Sequence, residues 1–140
     1  MSEKIRVAVA GASGRMGRML IEAISQSNDC QLVGALDVAH SGTMGTDACA
    51  FLGITSNILV TSDLETGIHN AQVLIDFTRP EGTLAHLAVC QRLGVKMVIG
   101  TTGLSAQDKA TIEAAAKQIA IVLSPNMGVG VNVMLKLLGM

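Results

Sequence analysis

The sequence comprises 140 residues, of which 49% are hydrophobic and 15% are charged, and this composition predicts one globular domain with a hydrophobic core. Ten Lys and Arg face 11 Asp and Glu, giving a net charge of −1, so the chain lacks the basic excess of a general nucleic-acid binder. It has two Phe and neither Trp nor Tyr, which excludes base-stacking platforms and a tyrosine proton donor.

The cysteines are odd in number and far apart, at Cys30, Cys49 and Cys90. Because no Cys-x-x-Cys pair exists, the sequence predicts neither a zinc site nor a disulfide framework. The N-terminal apolar stretch is interrupted at Gly11, and no apolar run approaches the length of a membrane span. We therefore expect a cytoplasmic protein that binds neither metal nor membrane and buries three reduced thiols.

Short apolar runs alternate with helical patterns along the chain. The runs predict strands at residues 5–10, 31–36, 58–61, 73–77, 95–99 and 119–123, the third of them weak. One helix is predicted after the first strand, from the spacing of Met16, Leu20, Ala23 and Ile24. Two more are predicted at 81–93 and 106–117, and only a short helix between residues 40 and 56. This alternation predicts a doubly wound parallel sheet with three layers, α/β/α.

Two helix starts carry the pattern of a capping box, in which a hydroxyl and an acid three residues later satisfy free backbone N–H groups. The first is Thr78-Arg79-Pro80-Glu81, with a proline in the first turn, and the second is Ser105-Ala106-Gln107-Asp108. Both segments are predicted to begin helices that follow strands.

A glycine-rich segment lies directly between the first strand and the first helix. Its residues are Gly11-Ala12-Ser13-Gly14-Arg15-Met16-Gly17. Glycines at this place permit a tight turn, a close approach of backbone to a pyrophosphate and close packing of helix on strand. No Gly-Lys-Ser/Thr follows, so a phosphate-loop NTPase is not indicated. The segment predicts a Rossmann-like dinucleotide site, and the alternative is a purely structural turn.

Asp37 ends the second predicted strand, 20 residues after Gly17, where such folds place the acid that binds the adenosine ribose. The alternative is an ordinary strand-end Asp that caps a turn. The next residue is Val38 rather than a base, and residues 19–78 contain seven acids and no Lys or Arg. Only Arg15 or Arg18 is expected to reach a ribose 2′-phosphate there. We therefore expect NADH to be preferred over NADPH, or used as well as NADPH.

Three segments rich in small and polar residues follow later strands. They are Phe77-Thr78-Arg79, Gly100-Thr101-Thr102-Gly103 and Ser124-Pro125-Asn126-Met127. In open α/β sheets, ligands bind beyond the carboxyl ends of the strands, so these segments are candidates to contact the cofactor. Helix capping is the alternative for them, and for Thr78 both are expected.

The histidines give no catalytic pattern. His40 and His69 fall in predicted loops and His86 in a predicted helix, and none has metal-ligand spacing to another His or to a Cys. We interpret them as surface or helix residues. No Ser-His-Asp or Cys-His arrangement is evident, so no catalytic residue is predicted in this chain.

Four stretches are together more specific than the glycine loop alone: VAVAGASGRMGRMLIEAI, LIDFTRPEGTLAHL, VIGTTGLS and PNMGVGVNVMLKLL. In this order they resemble the 4-hydroxy-tetrahydrodipicolinate reductase family of the bacterial diaminopimelate and lysine pathway. The resemblance implies reduction of the cyclic product of dihydrodipicolinate synthase to tetrahydrodipicolinate with NADH or NADPH. It also implies a small cyclic dicarboxylate as substrate and a homotetramer as the full-length enzyme.

The resemblance assigns roles to residues of this sequence. It implies that the pyrophosphate is held by Gly11 to Met16, the adenosine ribose by Asp37, and the nicotinamide end by Gly100, Thr101, Thr102 and Ser124 to Met127. Thr102 also matches a residue that touches a substrate carboxylate. Two positions depart from the family pattern, because Val38 replaces a base found in many relatives and Gly128 stands where Ser is expected.

The resemblance also divides the chain. Residues 1–128 match the dinucleotide-binding domain, and residues 129–140 match the start of a connection to a substrate and oligomerisation domain. The family motif His-His-x-x-x-Lys-x-Asp-x-Pro-Ser-Gly-Thr, which carries the proposed proton donor, is absent from this sequence. We therefore expect the chain to bind cofactor without turnover. The alternative is a free-standing NAD(H)-sensing module that signals through a partner, although FTRPEGT and GTTG favour the reductase.

Overall fold

The computed structural model describes residues 4–123. Strands β1 to β6 span Ile5–Ala10, Cys30–Leu36, Val60–Thr61, Val73–Asp76, Lys96–Ile99 and Ile121–Leu123. Helices α1 to α4 span Arg15–Gln26, Leu64–Ile68, Pro80–Leu93 and Ala106–Ala115, and a 3-10 turn spans Ala50–Leu52. Within this part of the chain all strands pair in parallel, in the order β3-β2-β1-β4-β5-β6. The predicted Rossmann-like, doubly wound α/β fold is thereby confirmed.

The hydrophobic core lies on both faces of the sheet, because alternate side chains of each strand point to opposite sides. On one face, Val7 and Val9 of β1 pack in a cluster with Leu20, Ile21 and Ile24 of α1. On the other face, the side chains of β1, β4 and β5 pack against residues of α2, α3 and α4, including Ile68, Leu87 and Ile112. Each of these buried side chains contributes about 1.5–3 kcal/mol of transfer free energy.

Helix α2 was not predicted from the sequence, and its packing explains why. It is five residues long and approaches β2 through glycines rather than through an apolar stripe. A Cβ at Gly34 would overlap the carbonyl oxygen of Gly67, and a Cβ at Gly67 would overlap the side chain of Leu36. This contact between two backbones leaves no hydrophobic periodicity to recognise.

The two predicted capping boxes differ in outcome. At α4 the prediction is confirmed: the Asp108 N–H donates to Ser105 Oγ at 3.0 Å, and the Ser105 N–H donates to Asp108 Oδ2 at 3.0 Å. At α3 it is wrong, because the N-cap is Arg79 and no side chain caps the helix. The Thr78 hydroxyl instead donates to Asp76 Oδ1 at 2.6 Å. The Thr78 hydroxyl is therefore directed to the carboxylate that ends β4 and does not accept a backbone N–H of α3.

Candidate functional site

The candidate site lies at the carboxyl edge of the sheet, where the connections from β1 and β4 run to opposite faces. The strand order places β1 and β4 side by side at the centre, and their helices, α1 and α3, pack on different faces. Open α/β sheets bind ligands in the crevice that forms at such a switch point. The glycine loop follows β1, and the Phe77-Thr78-Arg79 segment follows β4.

The glycine loop makes a tight turn onto the end of β2. The N–H groups of Gly11 and Ala12 donate to the Leu36 carbonyl at 2.9 and 3.0 Å, and the Gly14 N–H donates to the Gly11 carbonyl at 3.0 Å. Gly11 has a φ of +80°, a conformation that favours glycine. A Cβ at Gly17 would overlap the Gly11 carbonyl, so the third glycine allows α1 to pack on the loop.

The first turn of α1 has features that suit an anion. Its N-cap is Gly14, no side chain caps it, and its first turn contains no acid. The backbone N–H groups at this end therefore have no side-chain acceptor, and the helix dipole is positive there. A Cβ at Gly14 would lie 3.3 Å from the Gly11 carbonyl oxygen. The lack of a capping side chain and of an acid on this turn fits the predicted pyrophosphate cradle.

Asp37 is bound to the glycine loop by its carboxylate. Its Oδ2 accepts the Ser13 N–H at 3.0 Å, the Ser13 hydroxyl, and the Ser41 hydroxyl at 3.4 Å. Its Oδ1 accepts the Val38 N–H at 2.8 Å. Oδ1 accepts one hydrogen bond where Oδ2 accepts three, so Oδ1 has capacity for a further donor such as a ribose hydroxyl. Ser41 is a member of this site that the sequence analysis did not single out.

A cleft of about 650 Å³ joins the two strand ends. Residues predicted separately from the sequence line it together, namely Gly11, Asp37, Thr78 and Arg79. His40, Glu81 and His86 also line it, whereas Arg15 and Arg18 do not. The guanidinium of Arg18 instead lies over the Phe51 ring, 5.4 Å from its centroid. Arg79 shares the cleft with Asp37 and is therefore a further candidate cation, and the expectation that Arg15 or Arg18 reaches a ribose 2′-phosphate stays a prediction.

The ends of β4 and β5 are packed together through Phe77 and Gly100. A Cβ at Gly100 would overlap the Phe77 ring, so glycine here allows the ring to cover the strand end. The next side chain, Thr101, is 1% exposed, and its hydroxyl lies 2.6 Å from the Thr83 hydroxyl. Thr102 is exposed. Of the two threonines, only Thr102 has an exposed side chain.

Asp76 and His86 form a buried pair that the sequence analysis missed. His86 was interpreted as a surface or helix residue; it does lie in α3, but it is only 8% exposed. Its Nδ1 lies 2.7 Å from Oδ2 of Asp76, which is 0% exposed. Burial by itself would raise the pKa of the Asp76 carboxyl, but the hydrogen bond and charge of His86 and two hydrogen bonds from Thr78 lower that pKa below its ordinary value. The sequence feature that could have indicated this pair is Asp76 itself, an acid at the end of an apolar strand.

The remaining predictions concern metals, membranes and thiols. In residues 4–123 no group of three or more His, Cys, Asp or Glu could hold a metal ion, and no helix there is long and apolar enough to cross a membrane. Cys30, Cys49 and Cys90 are all buried, as predicted. Burial and the negative charge of Asp76 raise the pKa of Cys90 to about 12. The candidate residues Ser124, Pro125, Asn126 and Met127 lie outside the described residues.

The strand order, the glycine turn and the cleft at the switch point define a Rossmann-type nucleotide-binding domain. The family model described as dihydrodipicolinate reductase, N-terminus, matches residues 5–127. The chain therefore belongs to the dihydrodipicolinate reductase family and corresponds to its N-terminal part. The resemblance found in the sequence is confirmed.

Individual relatives agree with this assignment. The chain is 60% identical over 137 residues to the 4-hydroxy-tetrahydrodipicolinate reductase of Herminiimonas arsenicoxydans, covering 98% of this chain and 51% of that protein. A dipicolinate-bound dihydrodipicolinate reductase from Paenisporosarcina sp. TG-14 has a TM-score of 0.72 at 25% identity, covering 96% of this chain and 52% of that one. The NAD complex of GenD2 from gentamicin A biosynthesis has a TM-score of 0.70 at 21% identity, which shows the shared fold alone. The chain spans about half the length of the curated relatives it matches.

Proposed function

We propose that this chain forms the cofactor-binding part of a 4-hydroxy-tetrahydrodipicolinate reductase. The reaction is the NAD(P)H-dependent reduction of 4-hydroxy-tetrahydrodipicolinate to tetrahydrodipicolinate in cytoplasmic diaminopimelate and lysine biosynthesis. The observation that supports it most is the shared cleft, because Gly11, Asp37, Thr78 and Arg79 line one space at the switch point of a chain from this family. Family membership favours this proposal over the NAD(H)-sensing module.

The described residues include candidates for both the adenosine end and the nicotinamide end of a dinucleotide. The uncapped first turn of α1 and the segment from Gly11 to Met16 would hold the pyrophosphate, and Asp37 Oδ1 would accept from the adenosine ribose. Gly100, the backbone of Thr101, and Thr102 would support the nicotinamide end, and Thr102 would also contact a substrate carboxylate. The cofactor, when bound, supplies the hydride, while these residues orient it.

We further propose that NADH is preferred over NADPH, or used as well as NADPH. A ribose 2′-phosphate would approach the Asp37 carboxylate, and the neighbouring residue, Val38, is exposed and uncharged. Arg79 lines the same cleft and offers a cation that partly offsets this repulsion. The Asp37 carboxylate thus favours NADH, and the Arg79 cation allows NADPH to bind as well.

The division of the chain follows the same proposal. Residues 1–128 form the dinucleotide-binding domain and residues 129–140 lead to a substrate and oligomerisation domain, which carries the catalytic residues of the full-length homotetramer. The coverage of 51% of the first curated relative supports a second domain of similar size. On this proposal the 140-residue chain binds cofactor and does not reduce substrate.

Isothermal titration of NADH and NADPH into the chain tests the proposal directly. The wild-type chain is expected to bind both, and Gly14→Val is expected to abolish binding because a branched side chain fills the turn that faces the pyrophosphate. Ala106→Val, at the exposed first turn of α4, is the matched control and should leave affinity unchanged. Near-normal NADH affinity in the Gly14 variant would contradict the loop assignment, and failure of the wild-type chain to bind would contradict the proposed function.

A further inference from the structure

The Asp76–His86 pair connects three elements around the cleft. Asp76 is the last residue of β4, and its Oδ1 accepts the Thr78 N–H at 2.8 Å and the Thr78 hydroxyl at 2.6 Å. Its Oδ2 lies 2.7 Å from His86 Nδ1, in the second turn of α3. One buried carboxylate therefore binds the loop with one oxygen and the helix with the other. Thr78 and His86 both line the cleft.

We propose that Asp76 and His86 are positioning residues that hold the Thr78–Arg79 segment as a preformed wall of the cleft. The proposal rests on the proposed function in so far as the ligand of this cleft is a dinucleotide. Asp76 itself is fully buried and acts through Thr78. The bond from the carboxylate to the N–H two residues later turns the chain out of β4, as Asp side chains do in Asx turns.

The beginning of α3 supports this role. No side chain caps the helix, and its N-cap residue is Arg79, whose side chain is exposed. The segment between β4 and α3 therefore gains its fixed conformation from Asp76 rather than from a helix cap. Gly82 gives the Thr78 hydroxyl room for this arrangement, because a Cβ there would lie 2.9 Å from Thr78 Oγ1.

A purely stabilising role would not require these residues. Burying a carboxylate costs free energy that its partners must offset, and well-packed apolar residues of similar size often give equal or greater stability. Both oxygens of Asp76 bind residues that line the cleft, Thr78 and His86, so the hydrogen bonds fix the cleft wall. Removing the His86 donor leaves the carboxylate with its Thr78 donors alone, and the loop then loses its fixed attachment to α3.

Dinucleotide affinity and unfolding, measured on one set of variants, separate positioning from stability. His86→Leu removes the donor to Asp76, whereas His86→Asn keeps an N–H donor near the position of Nδ1 and removes the rest of the ring. Leu87→Ala changes the next residue of α3, which is buried at 1% exposure and makes no polar contact with the loop, so it is the control for helix stability. Titrations of NADH are made well below each unfolding midpoint.

His86→Leu is expected to weaken NADH binding at least about tenfold, and His86→Asn to restore it to within about threefold of wild type. Leu87→Ala should lower the unfolding midpoint and leave the dissociation constant within about twofold. If His86→Leu loses stability but keeps its affinity, the pair is only structural. If His86→Asn binds as weakly as His86→Leu, the ring contacts the ligand itself and the positioning role is wrong.

Hydrogen exchange in the ligand-free chain tests the positioning without a dinucleotide. The Thr78 amide donates to Asp76, so a peptide containing Thr78 should exchange faster in His86→Leu than in wild type or Leu87→Ala. Unchanged exchange in His86→Leu would overturn the proposal. If the wild-type chain binds neither NADH nor NADPH, the proposed function fails, and the exchange measurement still decides whether His86 holds this segment.

Discussion

Ser13 donates both its N–H and its hydroxyl to the carboxylate of Asp37. This contact joins the glycine loop to the end of β2, so the residues expected to hold the pyrophosphate and the ribose form one connected unit. The loop and the acid are 24 positions apart in the chain. We therefore expect a change in either one to alter the position of the other.

Asp37→Ala should weaken NADH binding about tenfold to a hundredfold, because hydrogen bonds to a charged acceptor contribute roughly 1.5–3 kcal/mol. Isothermal titration measures the loss. Ser13→Ala should have a smaller effect, since the Ser13 N–H still donates to the carboxylate. Glu22→Ala removes an exposed acid on α1 outside the cleft and should bind as wild type. An Asp37 variant within about twofold of wild type would contradict its role in ribose binding.

Arg79→Gln should weaken NADPH binding about tenfold and NADH binding less than threefold, because only NADPH has a phosphate for a charge-assisted contact with the guanidinium. Paired titrations at one salt concentration give the ratio of the two dissociation constants. Arg92→Gln is the matched control, since Arg92 lies on α3, the helix that Arg79 precedes, pairs with Glu65 at 3.1 Å and does not line the cleft. Equal losses for both cofactors would show that Arg79 does not distinguish them.

Thr83→Val should lower the free energy of unfolding by about 1–3 kcal/mol, because it leaves the buried Thr101 hydroxyl without its partner. The two hydroxyls lie 2.6 Å apart and both residues are at most 1% exposed. In the double variant Thr83→Val/Thr101→Val the loss should be smaller than the sum of the single losses. Denaturant unfolding of the four chains measures the coupling, and simple additivity would mean that the hydroxyls do not depend on each other.

The stability contributed by Asp76 should disappear in acid. The folded protein lowers the pKa of this carboxyl, so as the pH falls the unfolded chain, with an ordinary Asp pKa of about 3.9, takes up the proton first. The contribution is therefore complete above about pH 5 and is lost as the pH falls below about 4. Asp76→Asn cannot titrate at this position, and its difference in unfolding free energy from wild type should shrink over that range.

A second carboxylate, that of Asp47, also contributes stability that is lost in acid, so it must be present in both wild type and Asp76→Asn. Burial raises the pKa of the Asp47 carboxyl, but hydrogen bonds from the loop at residues 49–57 outweigh burial and lower this pKa to about 2. Because Asp47 is present in wild type and in Asp76→Asn, the difference between the two isolates Asp76. A difference that stays constant from pH 6 to about pH 3 would contradict the lowered pKa.

The sequence predicts the features that depend on neighbours along the chain. Apolar periodicity located the strands, and the spacing of Gly11, Gly14 and Gly17 located the turn, since each depends on a few adjacent residues. The contact of Asp37 with Ser13 depends on how two strands lie side by side, and spacing alone gave only the position of the acid. The residues of the cleft were recognised, and the hydrogen bonds that fix them were not.

The errors have the same origin. Thr78 has the sequence of a helix cap, but its hydroxyl finds the buried carboxylate of Asp76 two residues earlier. His86 is ten positions from that carboxylate, and only the packing of α3 on the sheet brings them together. Arg79 follows the acidic stretch in sequence and so was not counted with it, although it lines the same cleft as Asp37.

Because all three cysteines are buried, the rate at which each thiol reacts reports the local unfolding around it. Cys30 on β2 and Cys49 beside the 3-10 turn belong to the core on one face of the sheet, and Cys90 on α3 belongs to the core on the other face, so the thiols report on both faces. A thiol-specific reagent can modify each only after its surroundings open. The sequence contains no Trp or Tyr and hence lacks the usual intrinsic fluorophores. Alkylation rates resolved by cysteine would therefore show, without an added dye, which region opens first.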